Sequence, residues 1–191
     1  LAQEKPWIPF KANQYVRLNN SVFIWAVLYG QGEMMQFSGV DQFKNGKGKM
    51  NIALYGMIDV VDASGNKMDE GTAVRYLAEI VWYPWMARSK HIQWEKVDDQ
   101  NVKALFSFED INVEGVFSFS SDGYPIQFRA QRYNEEMKKE IAWRVDIDRD
   151  SYLRKGNVLI PAKASVVWEY EAGDFLWLEV GIEQYFPENS S

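Results

Sequence analysis

The chain has no cysteine. This excludes disulfides, thiolate nucleophiles, zinc–thiolate sites and iron–sulfur clusters. It leaves the compartment open, because a chain of 191 residues can bury enough core to fold without covalent staples. Histidine is almost as scarce, with His91 alone. A hydrolytic triad would have to be built around it, yet its neighbours Ser89 and Lys90 read as a loop and no G-x-S-x-G elbow occurs. No run approaches the roughly 18 to 20 apolar residues that a membrane helix needs, and no signal-peptide pattern opens the chain. An excess of positive charge is missing too: 21 Lys and Arg stand against 27 Asp and Glu, a net charge of -6. That balance argues against a nucleic-acid partner, which requires clustered cations. The densest basic cluster, Lys44, Lys47 and Lys49, is spaced by Asn and Gly and reads as a solvated hairpin turn.

What the chain does have is aromatic residues, 15% of the total with eight Trp. It also has alternation. Segments 8–18, 21–30, 33–44 and 47–55 read as strands, and Gly56 to Val61 as a short fifth. In the second, Phe23, Trp25, Val27 and Tyr29 share one face while Val22, Ile24, Ala26 and Leu28 share the other, so it is expected to be central and covered on both sides. Asn45-Gly46 marks a tight hairpin, because both residues accept the positive φ such turns demand. After residue 91 the alternation resumes in segments near 92–97, 102–108, 111–119, 126–132, 141–147, 158–161, 162–170 and 175–185, with turns every 8 to 12 residues. Residues 149–157 read as a loop.

One segment breaks the pattern. From Asp69 to Pro84, Val74, Leu77, Ala78 and Val81 recur at helical spacing, widened by Ala73, Tyr76 and Ile80. Asp69 is the expected N-cap and Pro84 the stop near Trp82 or Tyr83. Arg75 and Glu79 stand four residues apart, the spacing of a helix ion pair. No composition shift or repeat marks a linker, so residues 1–191 are expected to form one domain. Roughly ten or eleven strands, taking the short runs 56–61 and 158–161 with their neighbours, and one apolar helix imply a mainly β fold: a large antiparallel sheet, curved into a half-barrel around the helix to hide its edges.

The stretch from Gly71 to Pro84 resembles the signature helix of an uncharacterised bacterial domain family, which carries a G-x-x-x-R-Y-L-A-E-x-V-W-[FY]-P run. Gly48-Lys49-Met50, Trp94-Glu95 with Val97-Asp98-Asp99, and Ile160-Pro161 with Val167-Trp168 are similar to the family's flanking segments. The resemblance spans roughly residues 7 to 186. It implies a half-barrel like those of lipoprotein carriers and lipocalin-like lipid binders, but no activity. Family members tend to have further sequence upstream. The start at Leu1-Ala2-Gln3 agrees with a processed or shortened chain, from which a membrane anchor would be missing.

Arg75, Tyr76, Glu79, Trp82, Tyr83 and Trp85 are the candidate ligand-binding residues: one polar pair to orient a head group, and aromatics beside Met86 to line an apolar site. Catalytic and metal-binding residues are not expected, and no cofactor is implied. Asp146, Asp148 and Asp150 lack the spacing of a calcium loop. Asp98-Asp99 and Glu135-Glu136 are the carboxylates that a hydrolase would draw on. The expected function is non-enzymatic binding of a lipid or other apolar small molecule in the bacterial envelope, with membrane attachment only through a segment outside this chain. The alternatives are a structural or interaction domain without ligand, or a carboxylate-based hydrolase.

Overall fold

The computed structural model describes residues 7–17, 22–30, 36–54 and 58–186. The fold is mainly β, with one α-helix and large antiparallel sheets. Among the described residues neither sheet closes into a barrel. Contacts group the chain into two compact units: residues 1–76 with 108–111, and residues 77–107 with 112–191.

The first unit holds a five-stranded meander. Its strands are β1 (Phe10–Arg17), β2 (Val22–Gly30), β3 (Gln36–Lys44), β4 (Lys47–Leu54) and β5 (Ile58–Ala63), paired in sequence order. The turn between β3 and β4 is the one expected: Asn45 (φ 50) and Gly46 (φ 71) both take positive φ, which brings Lys44 opposite Lys47. The register then sets one row of apolar residues across the sheet, Phe23 opposite Phe43 and Phe43 opposite Gly48. Both phenylalanines are fully buried.

The helix α1 runs Asn66–Ala78, and its residues to Tyr76 belong to this unit. It starts earlier than the sequence predicts, because Asp69 does not serve as the N-cap. The Asp69 carboxylate instead accepts from the Gly48 backbone N–H at 2.7 Å and from Lys47 Nζ at 3.0 Å, which ties the first turn of α1 to β4. The helix backbone lies so close to β4 that a Cβ on Gly48 would stand 2.5 Å from Thr72 Oγ1 and 2.7 Å from the Met68 carbonyl oxygen. The helix also ends earlier than Trp82. Residues Glu79–Val81 tighten into a 3-10 turn, in which the Trp82 and Tyr83 N–H groups both donate to the Glu79 carbonyl. Pro84 begins a second 3-10 turn, Pro84–Arg88, instead of only ending the helix.

One expectation for β2 holds at one end only. The strand is central, between β1 and β3, and on its side away from the helix Val22 is buried and Ile24 half-buried. Further along that side Ala26 is exposed and Leu28 is 65% exposed. The residues between β1 and β2, including Asn19-Asn20-Ser21, and those at 31–35 and 55–57 lie outside the described ones.

The second unit holds a seven-stranded antiparallel sheet. Five strands follow in sequence: β6 (Ile92–Lys96), β7 (Asn101–Phe108), β8 (Ile111–Phe119), β9 (Pro125–Asn134) and β10 (Lys139–Ile147). The chain then makes a separate hairpin, β11 (Tyr152–Lys155) with β12 (Val158–Pro161). It returns as β13 (Lys163–Tyr170) beside β10, with β14 (Gly173–Gly181) at the edge. β11 falls where a loop is expected. It is short, and it is held by the Arg149 guanidinium over the Tyr124 ring, 3.7 Å from its centroid, and by the Tyr152 hydroxyl donating to the Pro125 carbonyl at 2.8 Å.

One face of this sheet is apolar, with Phe117, Phe128, Trp143, Val145 and Val166 buried. The opposite face is a charge ladder. Arg144 donates to Asp146 (2.8 Å), Glu169 (2.7 Å) and Asp174 (2.8 Å), and Arg129 donates to the same Glu169. Burial works against both charges, but these hydrogen bonds outweigh it. They hold the Arg144 pKa above its ordinary value and the Glu169 pKa below its own.

Gly48→Ala is expected to lower stability by about 1–3 kcal/mol, because the helix backbone cannot yield to a new methyl group. Gly39→Ala is expected to cost less, since its nearest obstacle is a Val27 methyl group at 2.9 Å. Denaturant midpoints of the two variants check this order.

Candidate functional site

The helix-facing side of the first sheet carries one acid among aromatics. Asp41 stands opposite Trp25 on β2 and Met50 on β4, and it is 2% exposed. A buried carboxylate is costly unless it is paired. Arg75, on the last turn of α1, donates to Asp41 Oδ2. Its guanidinium also lies over two rings, 5.0 Å from the centroid of Phe23 and 4.9 Å from that of Trp25. Such stacking favours a planar cation. The other carboxylate oxygen, Asp41 Oδ1, is buried and has no hydrogen-bond partner among the described residues. Tyr76, next to Arg75, is fully buried with its ring 5.7 Å from that of Phe43.

Beyond this pair the same face opens. Phe10 meets Trp25 edge-on at 5.9 Å, and Tyr29 stacks on Phe37 at 5.2 Å. Phe10, Trp25, Tyr29 and Phe37 are all partly exposed, unlike Phe23 and Phe43. Burial raises the Tyr29 pKa above its ordinary value, as expected for a phenol resting on apolar neighbours.

The second unit holds the other candidate residues. Glu79 and Trp82 are buried, while Tyr83 and Trp85 are partly exposed. Trp82 Nε1 donates to the Pro161 carbonyl at 3.1 Å. The Tyr185 hydroxyl donates to the Trp82 carbonyl at 2.9 Å, and its ring packs near Tyr83 (6.1 Å) and Trp85 (6.5 Å). Burial pushes the Tyr185 pKa up to about 12. This group of rings fastens the segment after β14 to the two 3-10 turns.

The family model described as Family of unknown function (DUF6920) matches residues 1–185. The chain belongs to that family. No curated protein and no solved structure matches it. In this DUF6920 chain the candidate residues therefore form two groups, one in each compact unit. Arg75 and Tyr76 sit against the first sheet, and Trp82, Tyr83 and Trp85 gather around Tyr185.

Of the carboxylates weighed for hydrolysis or calcium, several have partners of their own. Asp98 caps a turn by accepting from the Gln100 and Asn101 N–H groups, Asp99 accepts from Lys96, and Glu135 accepts from Lys138. Asp146 lies in the Arg144 ladder, and Asp148 accepts from the Asp150 N–H. His91 is close to the Ser107 carbonyl through Nδ1, at 3.2 Å. Among the described residues no three His, Asp or Glu gather closely enough to hold a metal ion.

Sequence reasoning missed Asp41. A signal was present: it is the single acid of β1 to β4, at a position that alternates in phase with Phe37, Gly39 and Phe43.

Asp41→Asn is expected to destabilise the chain by about 3 kcal/mol, the low end for a broken buried pair. The guanidinium side, 18% exposed, keeps some access to water. Asp41→Leu combined with Arg75→Met is expected to recover most of that loss, and urea midpoints of the single and double variants read it.

A second expectation concerns alkaline pH. The Tyr185 pKa is raised in the folded state from 10.0 to about 12, so its contribution is whole below 10 and is lost as pH rises through about 12. Tyr185→Phe should remove that part of the alkaline decline, read as unfolding midpoints against pH.

Proposed function

We propose that the chain is a non-enzymatic binding module for a lipid or other apolar small molecule, working in the bacterial cell envelope. The observation that carries this reading is the partly exposed aromatic row of Phe10, Trp25, Tyr29 and Phe37, which continues a face whose other end is sealed by α1. Aromatic side chains offer a large apolar contact area at little cost in flexibility. An acyl chain or fused ring system would cover that row and gain apolar burial.

Asp41 and Arg75 stand at the inner end of the row and supply the orienting polar group. Asp41 Oδ1 is an acceptor in need of a donor, so a hydroxyl or amide on the ligand would satisfy it. Few polar groups in an apolar site are enough to fix a ligand's orientation. The envelope assignment rests on the resemblance of the Gly71–Pro84 run and its flanks to an uncharacterised bacterial family, whose implied fold is like the half-barrels of lipoprotein carriers.

The test is native mass spectrometry with lipid extraction of protein purified from its own host, followed by displacement of a fluorescent fatty acid. A stoichiometric apolar molecule is the expected result. Phe37→Ala should weaken fatty-acid binding about tenfold or more, the equivalent of losing most of one aromatic contact. Protein that emerges without ligand and ignores the fluorescent probe would overturn the reading.

A further inference from the structure

The side of the first sheet that turns away from α1 has an unusual composition. The register places Tyr15 opposite Ile24, Ala26 opposite Val40, and Lys11 opposite Leu28 on that side. Leu28 is 65% exposed, Tyr15 45% and Val40 38%. These apolar side chains are adjacent across β1, β2 and β3, so they form one patch rather than scattered exposures.

Charge on this side is segregated. Every Lys and Arg of β1 to β4 (Lys11, Arg17, Lys44, Lys47 and Lys49) falls in phase with the outward residues. The single acid of these strands, Asp41, faces α1 instead. Such a bias is unexpected in a chain of net charge -6. Lys47 is paired with Asp69, so the argument rests on Lys11, Arg17 and Lys44. Lys11 stands at the Leu28 end of the patch, and Arg17 and Lys44 at the other, roughly 20 Å apart at the usual rise per strand residue. Arg17 Nε donates to the Tyr15 hydroxyl at 3.0 Å, which fixes a guanidinium beside an exposed ring. Trp7, 59% exposed, precedes β1 at the Lys11 end. On the edge strand β5, Asp62 and Asp59 stand opposite Asn51 and Ala53, outward positions of β4, so the segregation belongs to β1 to β4 and acids border the patch beyond them.

We infer that this face docks on the headgroup region of an anionic phospholipid bilayer. Its parts match that surface. Cations meet anionic headgroups, Leu28 and Val40 enter the acyl boundary, and Tyr15 and Trp7 have the amphipathic rings that settle at such interfaces. A second copy of the chain fits less well, because a two-fold pairing centred on the patch sets Lys and Arg against Lys and Arg. The inference concerns the opposite side of the sheet from the aromatic row, and a different partner.

Co-sedimentation tests it, using the whole chain with vesicles of phosphatidylcholine alone or of phosphatidylcholine mixed with phosphatidylglycerol. Pelleting with the anionic vesicles, little with the neutral ones and release at about 0.5 M salt are expected. Combined reversal of Lys11, Arg17 and Lys44 to Glu should lower partitioning at least about a hundredfold, at about fivefold per cation lost. Leu28→Ser should lower it severalfold while leaving fatty-acid displacement unchanged, and this separates the two surfaces. Circular dichroism confirms that these exposed-site variants fold. Equal binding to both vesicle types, no pelleting with anionic vesicles, or indifference to both sets of changes would each overturn the inference. So would sedimentation velocity showing a dimer that the charge reversal dissociates.

Discussion

Two buried carboxylates hold α1 on the first sheet, and the arrangement of that unit depends on them. Asp69, at the first turn, accepts from the Gly48 N–H and from Lys47, and Asp41, on the sheet, accepts from Arg75 at the last turn. One acid belongs to the helix and one to the sheet, so each element both gives and receives a charge. Apolar contact alone does not define how far a helix slides along a pleated face, because it has little direction. Paired charges do, since a displaced pair would leave a buried ion unmatched. Gly48 supplies the remaining condition by letting the helix backbone come close. With the helix set in this way, Phe23, Phe43 and Tyr76 are sealed while Phe10, Tyr29 and Phe37 are not.

The strand pattern was legible because turn chemistry and alternation agree. Asn45-Gly46 dictates its hairpin from two residues alone, and the alternation of β4 and β8 to β10 sets large side chains against polar ones. The helix was legible as an element but not at its ends. Asp69 has the chemistry of an N-cap, and only the presence of β4 beside it explains why its carboxylate is used elsewhere. At the other end, Val81, Trp82 and Tyr83 continue a helical pattern that the chain abandons for 3-10 turns, with Trp82 hydrogen-bonded to Pro161, 79 residues away. Long-range partners of this kind leave no trace in local spacing. The same holds for the candidate site. Arg75 was recognisable as a polar residue in an apolar helix, but its partner Asp41 lies 34 residues earlier in the chain.

The outward side of β2 shows a different limit. Val22, Ile24, Ala26 and Leu28 form an apolar series that reads as buried. Periodicity reports that a face avoids water, and it does not say what excludes the water. Among the described residues nothing in the chain covers Ala26 and Leu28. The series is buried at Val22 and open at Ala26 and Leu28, so the pattern and the structure part only at that end of the strand.

The seven-stranded sheet shows what a water-facing side looks like in this same protein. Its outward residues alternate in sign, with Arg129, Arg144, Asp146, Glu169 and Asp174 linked across neighbouring strands, so the face is hydrated and internally neutralised. Such ladders also discourage a sheet from recruiting a partner, because a partner would have to displace bonds already made. The outward side of β1 to β4 has the opposite design. Its middle is apolar, its cations stand at the two ends, and the strands place their single acid on the far side. A face meant only for water has no use for Leu28 at its centre, and one meant for a protein core has no use for Lys11 and Arg17 at its margins. An apolar centre with a cationic rim suits a boundary that is itself greasy beneath and negative above, and this asymmetry between the two sheets is the strongest physical argument for assigning the open face to a lipid surface.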